Sequence, residues 1–161
     1  MATPYYGIQL ITDRTRADVD KVVSLSAKGL AVMTPQEREE YLTLLKGSYN
    51  SSDLNRVGSA MKGLESLFNE CGYLVSVNPK TDWTQEDEPT REQMSQYLYC
   101  VSILRRALTV KADTPIVPDD MEGLTYQEAN NIEKILQDVE FLLKNSLAAV
   151  FYSGDIYSGE V

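Results

Sequence analysis

Residues 51–71 have the sequence SSDLNRVGSAMKGLESLFNEC, and this stretch decides the fold. Its apolar residues recur at intervals of three and four, namely at Leu54, Val57, Met61, Leu64, Phe68 and Cys71. That spacing places them on one face of an α-helix. Because a long apolar stripe needs other elements to cover it, we predict a central helix inside a helical domain. Residues 50–53 supply several candidate N-caps for it.

Four further segments begin with helix-capping residues and continue with apolar residues at helical spacing. A threonine starts each of them, and an acidic or amide side chain follows three residues later; the threonines are Thr15, Thr34, Thr90 and Thr125. This pattern is typical of a capping box. The predicted fold class is therefore mainly α: an irregular bundle of about five helices with a few short β-strands.

Strand-forming residues occur at three places outside these helices. Residues 1–11 and residues 73–77 are rich in β-branched and aromatic side chains, which predicts short strands. Residues 149–161 contain Tyr-Ser-Gly twice and lose the helical period, which favours an extended tail with some strand potential. We predict one domain over 1–161, with an extended N-terminal arm (1–11) and an extended C-terminal tail (149–161).

The net charge of −9 is concentrated near the C-terminus. Residues 1–112 hold 14 acidic and 13 basic residues, whereas residues 113–161 hold ten acidic and two basic residues. Because an acidic surface repels phosphate backbones, we predict no nucleic-acid partner. The acidic third has two interpretations: it keeps the protein soluble, or it docks on a basic surface.

Neither a membrane span nor a signal peptide is apparent. No run of about 18 apolar residues occurs, which predicts no membrane partner. The N-terminus lacks the basic flank and apolar core of a signal peptide, so we predict no secretion by that route.

The composition offers few residues for catalysis or metal binding. Histidine is absent, which excludes Ser-His-Asp, Cys-His and His-metal sites. Cys71 and Cys100 occupy apolar helical positions typical of small core residues. The acids at 86–88 lie near Trp83 in the sequence and could act as the paired carboxylates of a glycosidase, with Trp83 stacking on the sugar. Adjacent acids in a polar loop are, however, usually solvated, and this is the interpretation that we adopt. Residues 119–123 fail the spacing of a calcium-binding loop. We predict no enzyme, no cofactor and no metal.

Aromatic residues supply the candidate interaction surface, which comprises Tyr5, Tyr6, Trp83, Phe151, Tyr152 and Tyr157. Trp and Tyr are enriched where proteins bind one another. Trp83 has two interpretations: it pins the loop of residues 78–90 onto the bundle, or it is an exposed anchor for a sugar or a protein. The aromatic chain ends either fold back onto the bundle or add strands to the sheet of a neighbour.

Several phrases resemble a small virion module of prophages from Gram-positive gut bacteria. They are TDRT at 12–15, KGSYNSSDLNRV at 46–57, TDWT at 81–84, MEGLTYQEANNI at 121–132 and the closing YSGDIYSGE. The resemblance runs from about Thr12 to the C-terminus. Such modules occur in phage tail or minor structural proteins, and no catalytic role is known for them. Leu30 departs from the pattern, which has an aromatic residue there, so a surface contact at this position is not carried over.

The resemblance implies a non-enzymatic bacteriophage structural or assembly module, tail-associated, that acts through protein–protein contacts. Its partners would be other virion proteins or further copies of itself. It would be made in the bacterial cytoplasm and would reside in the virion after assembly. The alternative, suggested by Trp83 and the nearby acids, is a carbohydrate-binding module that recognises host-surface glycans.

Overall fold

Five α-helices make up the regular structure of the residues that are described. The computed structural model describes residues 9–43 and 45–157. The helices are α1 (Arg16–Lys28), α2 (Pro35–Thr43), α3 (Ser51–Glu70), α4 (Arg91–Arg106) and α5 (Tyr126–Tyr157). The prediction of a mainly α fold with about five helices is confirmed. None of the helices in these ranges combines the length and the apolar character needed to cross a membrane.

Reciprocal capping fixes the start of every helix. In each case the side chain of the N-cap residue accepts a hydrogen bond from the backbone N–H of the residue three positions later. The side chain of that later residue accepts a hydrogen bond from the backbone N–H of the N-cap residue. The pairs are Thr15–Asp18, Thr34–Glu37, Asn50–Asp53, Thr90–Gln93 and Thr125–Glu128. Each pair satisfies two N–H groups that would lack an acceptor within the helix. The starts predicted from the sequence are confirmed.

The stripe on α3 forms the centre of the main core. Leu54, Val57, Met61, Leu64 and Phe68 are at most 5% exposed. Side chains of α4 and α5 cover the stripe, among them Val101, Leu104, Ile132, Leu136 and Leu143. Because burying one large aliphatic side chain contributes about 1.5–3 kcal/mol, this three-helix core dominates the stability of the fold.

The helices α3, α4 and α5 run in roughly the same direction. Arg91 at the start of α4 pairs with Glu122, just before α5, whereas Arg105 near the end of α4 binds Thr114, which contacts Asp138 further along α5. Arg56 near the start of α3 pairs with Glu133 near the start of α5, and Cys71 at the end of α3 lies 4.0 Å from the carbonyl oxygen of Leu143 further along α5. Parallel neighbours cannot be joined by tight turns. The chain therefore returns along the bundle twice, through two irregular segments, residues 72–90 and 107–125.

The first return segment runs back along α3 and bonds to its side chains. The N–H of Val77 donates to Glu65 over 2.9 Å, and the carbonyl oxygen of Val77 accepts from Lys62 over 3.0 Å. Further along, the Asn55 amide binds both the N–H and the carbonyl of Trp83. The strand predicted at residues 73–77 does not form, and the backbone of Val77 at its end bonds to α3 side chains in place of a neighbouring strand.

The second return segment is anchored near its middle. The Thr114 hydroxyl donates to the buried carboxylate of Asp138 on α5 over 2.8 Å. Arg105 of α4 donates to the carbonyl oxygens of Pro115 (2.6 Å) and Thr114 (3.2 Å). These contacts join α4 to α5 through a segment that has no regular structure of its own.

The α1–α2 hairpin packs beside the main core with a small core of its own. Leu25, Met33 and Leu45 are its buried residues. The backbone at Gly47 presses against α1, where an added Cβ would lie 2.2 Å from the carbonyl oxygen of Asp18. Leu30, at the turn between the two helices, is 47% exposed.

The C-terminal region is helical further than the sequence pattern predicted. Because α5 continues to Tyr157, residues 149–157 are helical and the prediction of an extended tail is wrong for them. Adding a residue to an existing helix needs no new nucleation, and alanines at 148 and 149 favour continuation. Residues 158–161 of that tail and residues 1–8 of the predicted arm lie outside the described residues; residues 9–11 have no regular secondary structure.

Substitution of Gly58 tests the crossing of the first return segment over α3. An added Cβ at Gly58 would lie 2.9 Å from the carbonyl oxygen of Lys80. In an open helix interior, Gly→Ala would stabilise by about 1 kcal/mol. Here we expect Gly58→Ala to lower the free energy of unfolding by about 1–3 kcal/mol, because the backbones must separate. Urea unfolding followed by circular dichroism measures this, with Ser59→Ala as the control. An unchanged or higher stability for Gly58→Ala would contradict the close crossing.

Asp138 makes the second return segment sensitive to acid. Burial raises the pKa of Asp138, but hydrogen bonds from Lys134 and Thr114 lower it more, so its net pKa lies below the ordinary value. Such a group stabilises the fold above the unfolded-state pKa of about 3.9, and this contribution is lost as the pH falls through the lower folded-state pKa. We therefore expect Asp138→Asn to destabilise at pH 7.

The stability difference between the parent and Asp138→Asn should shrink as the pH falls below about 4, because the contribution of the charge is lost between the unfolded-state pKa and the lower folded-state pKa. Urea unfolding of both proteins at neutral and acidic pH provides the comparison. Asp113→Asn, at an exposed position, is the matched control. A difference that stays constant with pH would show that the Asp138 charge is not responsible.

Candidate interaction surface

Trp83 lies in the core, where its side chain is only 6% exposed. It belongs to the same apolar cluster as the stripe of α3. Asn55 binds its backbone on both sides, and the Lys80 ammonium lies 5.0 Å from the centre of its ring. This burial agrees with the interpretation in which Trp83 pins its loop onto the bundle. The ring is not available to stack on a sugar.

The other candidate aromatic residues lie near the chain ends. Tyr5 and Tyr6 fall outside the described residues. Phe151, Tyr152 and Tyr157 belong to the last turns of α5. Trp83 is held near the start of α3, whereas these three lie beyond the level at which α3 ends. The structure therefore does not bring Trp83 and the C-terminal aromatic residues into one surface.

The acids beside Trp83 are solvent-exposed, and one of them caps a turn. Asp87 accepts the backbone N–H of Thr84 over 2.6 Å and its hydroxyl over 3.0 Å. These hydrogen bonds, the backbone one first, lower the pKa of Asp87. A general acid that works near neutral pH needs a raised pKa. The pKa of Asp87 is therefore shifted away from the value that a general acid would need.

The acids before α5 form local contacts with the chain itself. Asp120 accepts the backbone N–H of Glu122 over 2.8 Å, and Glu122 pairs with Arg91 at 2.8 Å. Across the described ranges, no three Cys, Asp or Glu side chains come together as a metal site would require.

A buried cluster of four charged residues was not anticipated from the sequence. Arg14 contacts Asp53 at 3.0 Å and Glu133 at 2.8 Å. Arg56 contacts the same two carboxylates at 2.7 and 2.6 Å. Arg14, Asp53 and Glu133 are at most 4% exposed. Two guanidinium groups balance two carboxylates, so this ion cluster is neutral.

Hydrogen bonds to the backbone hold the ion cluster in place. The N–H of Ile11 donates to Glu133 over 2.5 Å, and Arg14 donates to the carbonyls of Ile11 (2.9 Å) and Lys46 (3.1 Å). Asn130 of α5 binds both the N–H and the carbonyl of Arg14. Buried charges are tolerated only when such contacts replace lost hydration. The geometry is that of a structural link between segments.

One weak signal for the ion cluster was present in the sequence. Asp53 and Arg56 lie three residues apart on α3, a spacing that favours an ion pair. Glu133 lies four residues after Ala129 and three before Leu136, both of which are on the apolar seam of α5. A carboxylate at a core-facing position needs a buried cation, but periodicity could not identify Arg14, 119 residues away, as its partner.

Tyr49 connects the ion cluster to the surface. The Arg14 guanidinium lies 5.4 Å from the centre of its ring, and its hydroxyl is 2.6 Å from that of Tyr97. Burial raises the pKa of both phenols above the ordinary value for tyrosine. The pair therefore stays protonated and hydrogen-bonded at neutral pH.

A surface cleft lies next to Tyr49, where the starts of α3 and α4 meet the turn that precedes α5. Its volume is about 390 Å³. Leu54, Pro89, Met94, Met121 and Leu124 provide its apolar lining. The Arg91–Glu122 ion pair spans its mouth, and both side chains are more than 70% exposed. We call it the methionine cleft.

Comparison with other proteins does not identify a relative of this chain. Comparisons with protein-family models, with curated proteins and with solved structures found no match to the chain. The function of the protein is therefore inferred from the geometry and charges of the described residues and from the motifs of the sequence.

Removing Arg14 tests the contribution of the ion cluster. We expect Arg14→Met to lower the free energy of unfolding by about 3–5 kcal/mol, because two buried carboxylates would be left with one guanidinium. The control is Arg16→Met, which breaks the exposed pair Arg16–Asp20 and should cost less than about 1 kcal/mol. Urea unfolding followed by Trp83 fluorescence measures both. Equal costs for the two variants would contradict a structural role for the cluster.

Proposed function

We propose that this protein is a non-enzymatic structural or assembly module of a bacteriophage virion, associated with the tail, that acts through protein–protein contacts. Two observations support the proposal: the resemblance of its motifs to prophage virion modules, and the apolar composition of the last ten helical residues of α5. The second observation carries the argument for a contact function.

The extension of α5 comprises residues 148–157, which follow the last buried and half-buried side chains that the structure describes on this helix. Among the α5 side chains that the structure describes, the last buried one is Leu143 and the last half-buried one is Leu147. Ala148 and Ala149 are exposed. The backbone nevertheless remains helical to Tyr157. Ten helical residues, 148–157, therefore follow Leu147.

The composition of this extension favours contact with another protein. Seven of the ten residues at 148–157 are hydrophobic, one is acidic and none is basic. Helices in proteins gain most of their stability by covering an apolar face, and this segment supplies apolar side chains for such a contact. We infer that a neighbour covers residues 148–157, either another virion protein or a second copy of this chain.

A virion module is made in the bacterial cytoplasm and incorporated into the particle during assembly, and we propose the same locations for this protein. The carbohydrate-binding alternative depended on an exposed Trp83. The burial of that side chain removes the main support for glycan recognition.

Truncation of the extension tests the proposal. We expect the full chain to self-associate, and a version lacking residues 150–161 to become monomeric, when light scattering is measured during size-exclusion chromatography. The control lacks residues 1–8 and retains the contact of Ile11 with Glu133. A full chain that stays monomeric, and that loses unfolding free energy on the C-terminal truncation, would show that the extension packs on its own bundle. That result would contradict the proposal.

A point variant separates the apolar character of the extension from its length. We expect Phe151→Asp to weaken self-association, because a carboxylate would have to lose its hydration in the contact. Asn145→Asp makes the same change of charge at an exposed position on the same helix and should have little effect. If both variants weakened self-association equally, the added negative charge and not the loss of an apolar contact would be responsible.

A further inference from the structure

We propose that the methionine cleft binds a basic amphipathic segment of a partner protein. An apolar side chain of the partner would fill the cleft, and lysine or arginine side chains would lie along its acidic walls. The site is separate from the extension of α5, because the cleft lies at the opposite, N-terminal end of that helix. Either proposed contact can therefore be confirmed or contradicted without affecting the other.

The shape and lining of the cleft suit an extended apolar ligand. Met94 and Met121 line it, and methionine side chains adapt readily to the shape of a partner because they are unbranched and polarisable. A second cleft of about 290 Å³ adjoins it and shares Tyr49, Leu54 and Pro89 with it. The groove thus continues past the shared apolar residues into a stretch lined mainly by polar side chains, which fits an amphipathic chain segment better than a compact molecule.

The two segments that border the cleft carry a strong excess of negative charge. Asp120 and Glu122 line the cleft itself together with Arg91, and Asp87 lines the adjoining one. Over their whole length the segments, residues 84–92 and 119–124, contain seven exposed carboxylates and one arginine, a balance of −6; the acids are Glu86, Asp87, Glu88, Glu92, Asp119, Asp120 and Glu122. The starts of α3, α4 and α5 lie nearby, and each contributes about half a positive charge. Together these contribute about +1.5, so the local field stays negative and favours a cationic partner.

The same charges argue against other occupants. A second copy of this chain would bring its own net charge of −9 toward the acidic walls. Nucleic acids would be repelled for the same reason. A small cation would make no use of the apolar lining. An amphipathic segment with basic residues satisfies both features, as in helix-in-groove recognition.

The ion pair at the mouth of the cleft can exchange partners on binding. Arg91 and Glu122 are 76% and 79% exposed, so their pairing contributes little to stability. A basic side chain of the partner would take the place of Arg91 beside Glu122. Opening the mouth would then require no change in the buried core.

Methionine methyl NMR on the full chain tests this proposal. The probe is a synthetic peptide of about 14 residues with leucine and lysine at amphipathic helical spacing. We expect it to shift the methyl signals of Met94 and Met121. The signals of Met33 and Met61, which are 5% and 0% exposed, should stay in place and serve as internal controls.

Two further peptides and two double variants separate cleft binding from general attraction between charges. A lysine–serine peptide of equal charge and a leucine–glutamate peptide should leave Met94 and Met121 unshifted. We expect Asp120→Asn with Glu122→Gln to weaken binding of the leucine–lysine peptide about fivefold at low salt. The control, Glu70→Gln with Asp113→Asn, makes the same change of charge near the other end of the bundle and should leave the affinity unchanged.

Three results would overturn the proposal. The first is that the lysine–serine peptide produces the same shifts as the leucine–lysine peptide. The second is that both double variants weaken binding equally. The third is that binding occurs without movement of the Met94 and Met121 signals. None of these results depends on the oligomeric state of the protein. They therefore do not decide the role of the α5 extension, which is tested by the truncation experiment.

Discussion

The guanidinium of Arg14 joins parts of the chain that are far apart in sequence. It contacts Asp53 on α3, Glu133 on α5 and the carbonyl of Lys46 at the end of the α1–α2 hairpin. The hairpin and the segment of residues 9–15 thereby become attached to the three-helix core. Arginine suits this position because its planar group offers five donors in fixed directions, which a lysine could not supply. Its ring contact with Tyr49 extends the connection to the methionine cleft.

A buried group of charges gives the packing a specificity that the apolar stripe alone does not give. An apolar seam between helices tolerates sliding by one turn, since leucine and isoleucine fit similar spaces. The carboxylates of Asp53 and Glu133 have to meet two guanidinium groups at once, so the register of α3 against α5 is fixed. The cost of desolvating these charges is offset only in that register, in which all four side chains are paired. The cleft next to the cluster inherits the same rigidity, because Tyr49 and Leu54 lie beside it.

Local patterns were sufficient to predict where the helices start, but neither the C-terminal end of α5 nor the long-range pairing was predictable from them. Thr15, Thr34, Thr90 and Thr125 identified helix starts because a capping box is complete within four residues. The α3 stripe identified the core for the same reason. The segment at residues 73–77 has the composition of a strand, but its partners are side chains on α3, a choice that no local pattern encodes.

The same limit applies to the site. Trp83 was a reasonable surface candidate by composition, whereas the walls of the methionine cleft come from two segments that only the fold brings together.

The parallel arrangement of the helices also determines how the protein would carry a mechanical load. The segment at residues 11–14 is fastened to α5 at Asn130 and Glu133, and α5 itself runs from there to Tyr157 at the other pole. A pull applied between residue 11 and residue 157 would therefore travel along a single helix. Neither return segment lies on that path. The ion cluster and the Asn130 bonds would be loaded in shear, with several bonds sharing the force, while α3 and α4 would stay folded against the loaded helix as lateral support.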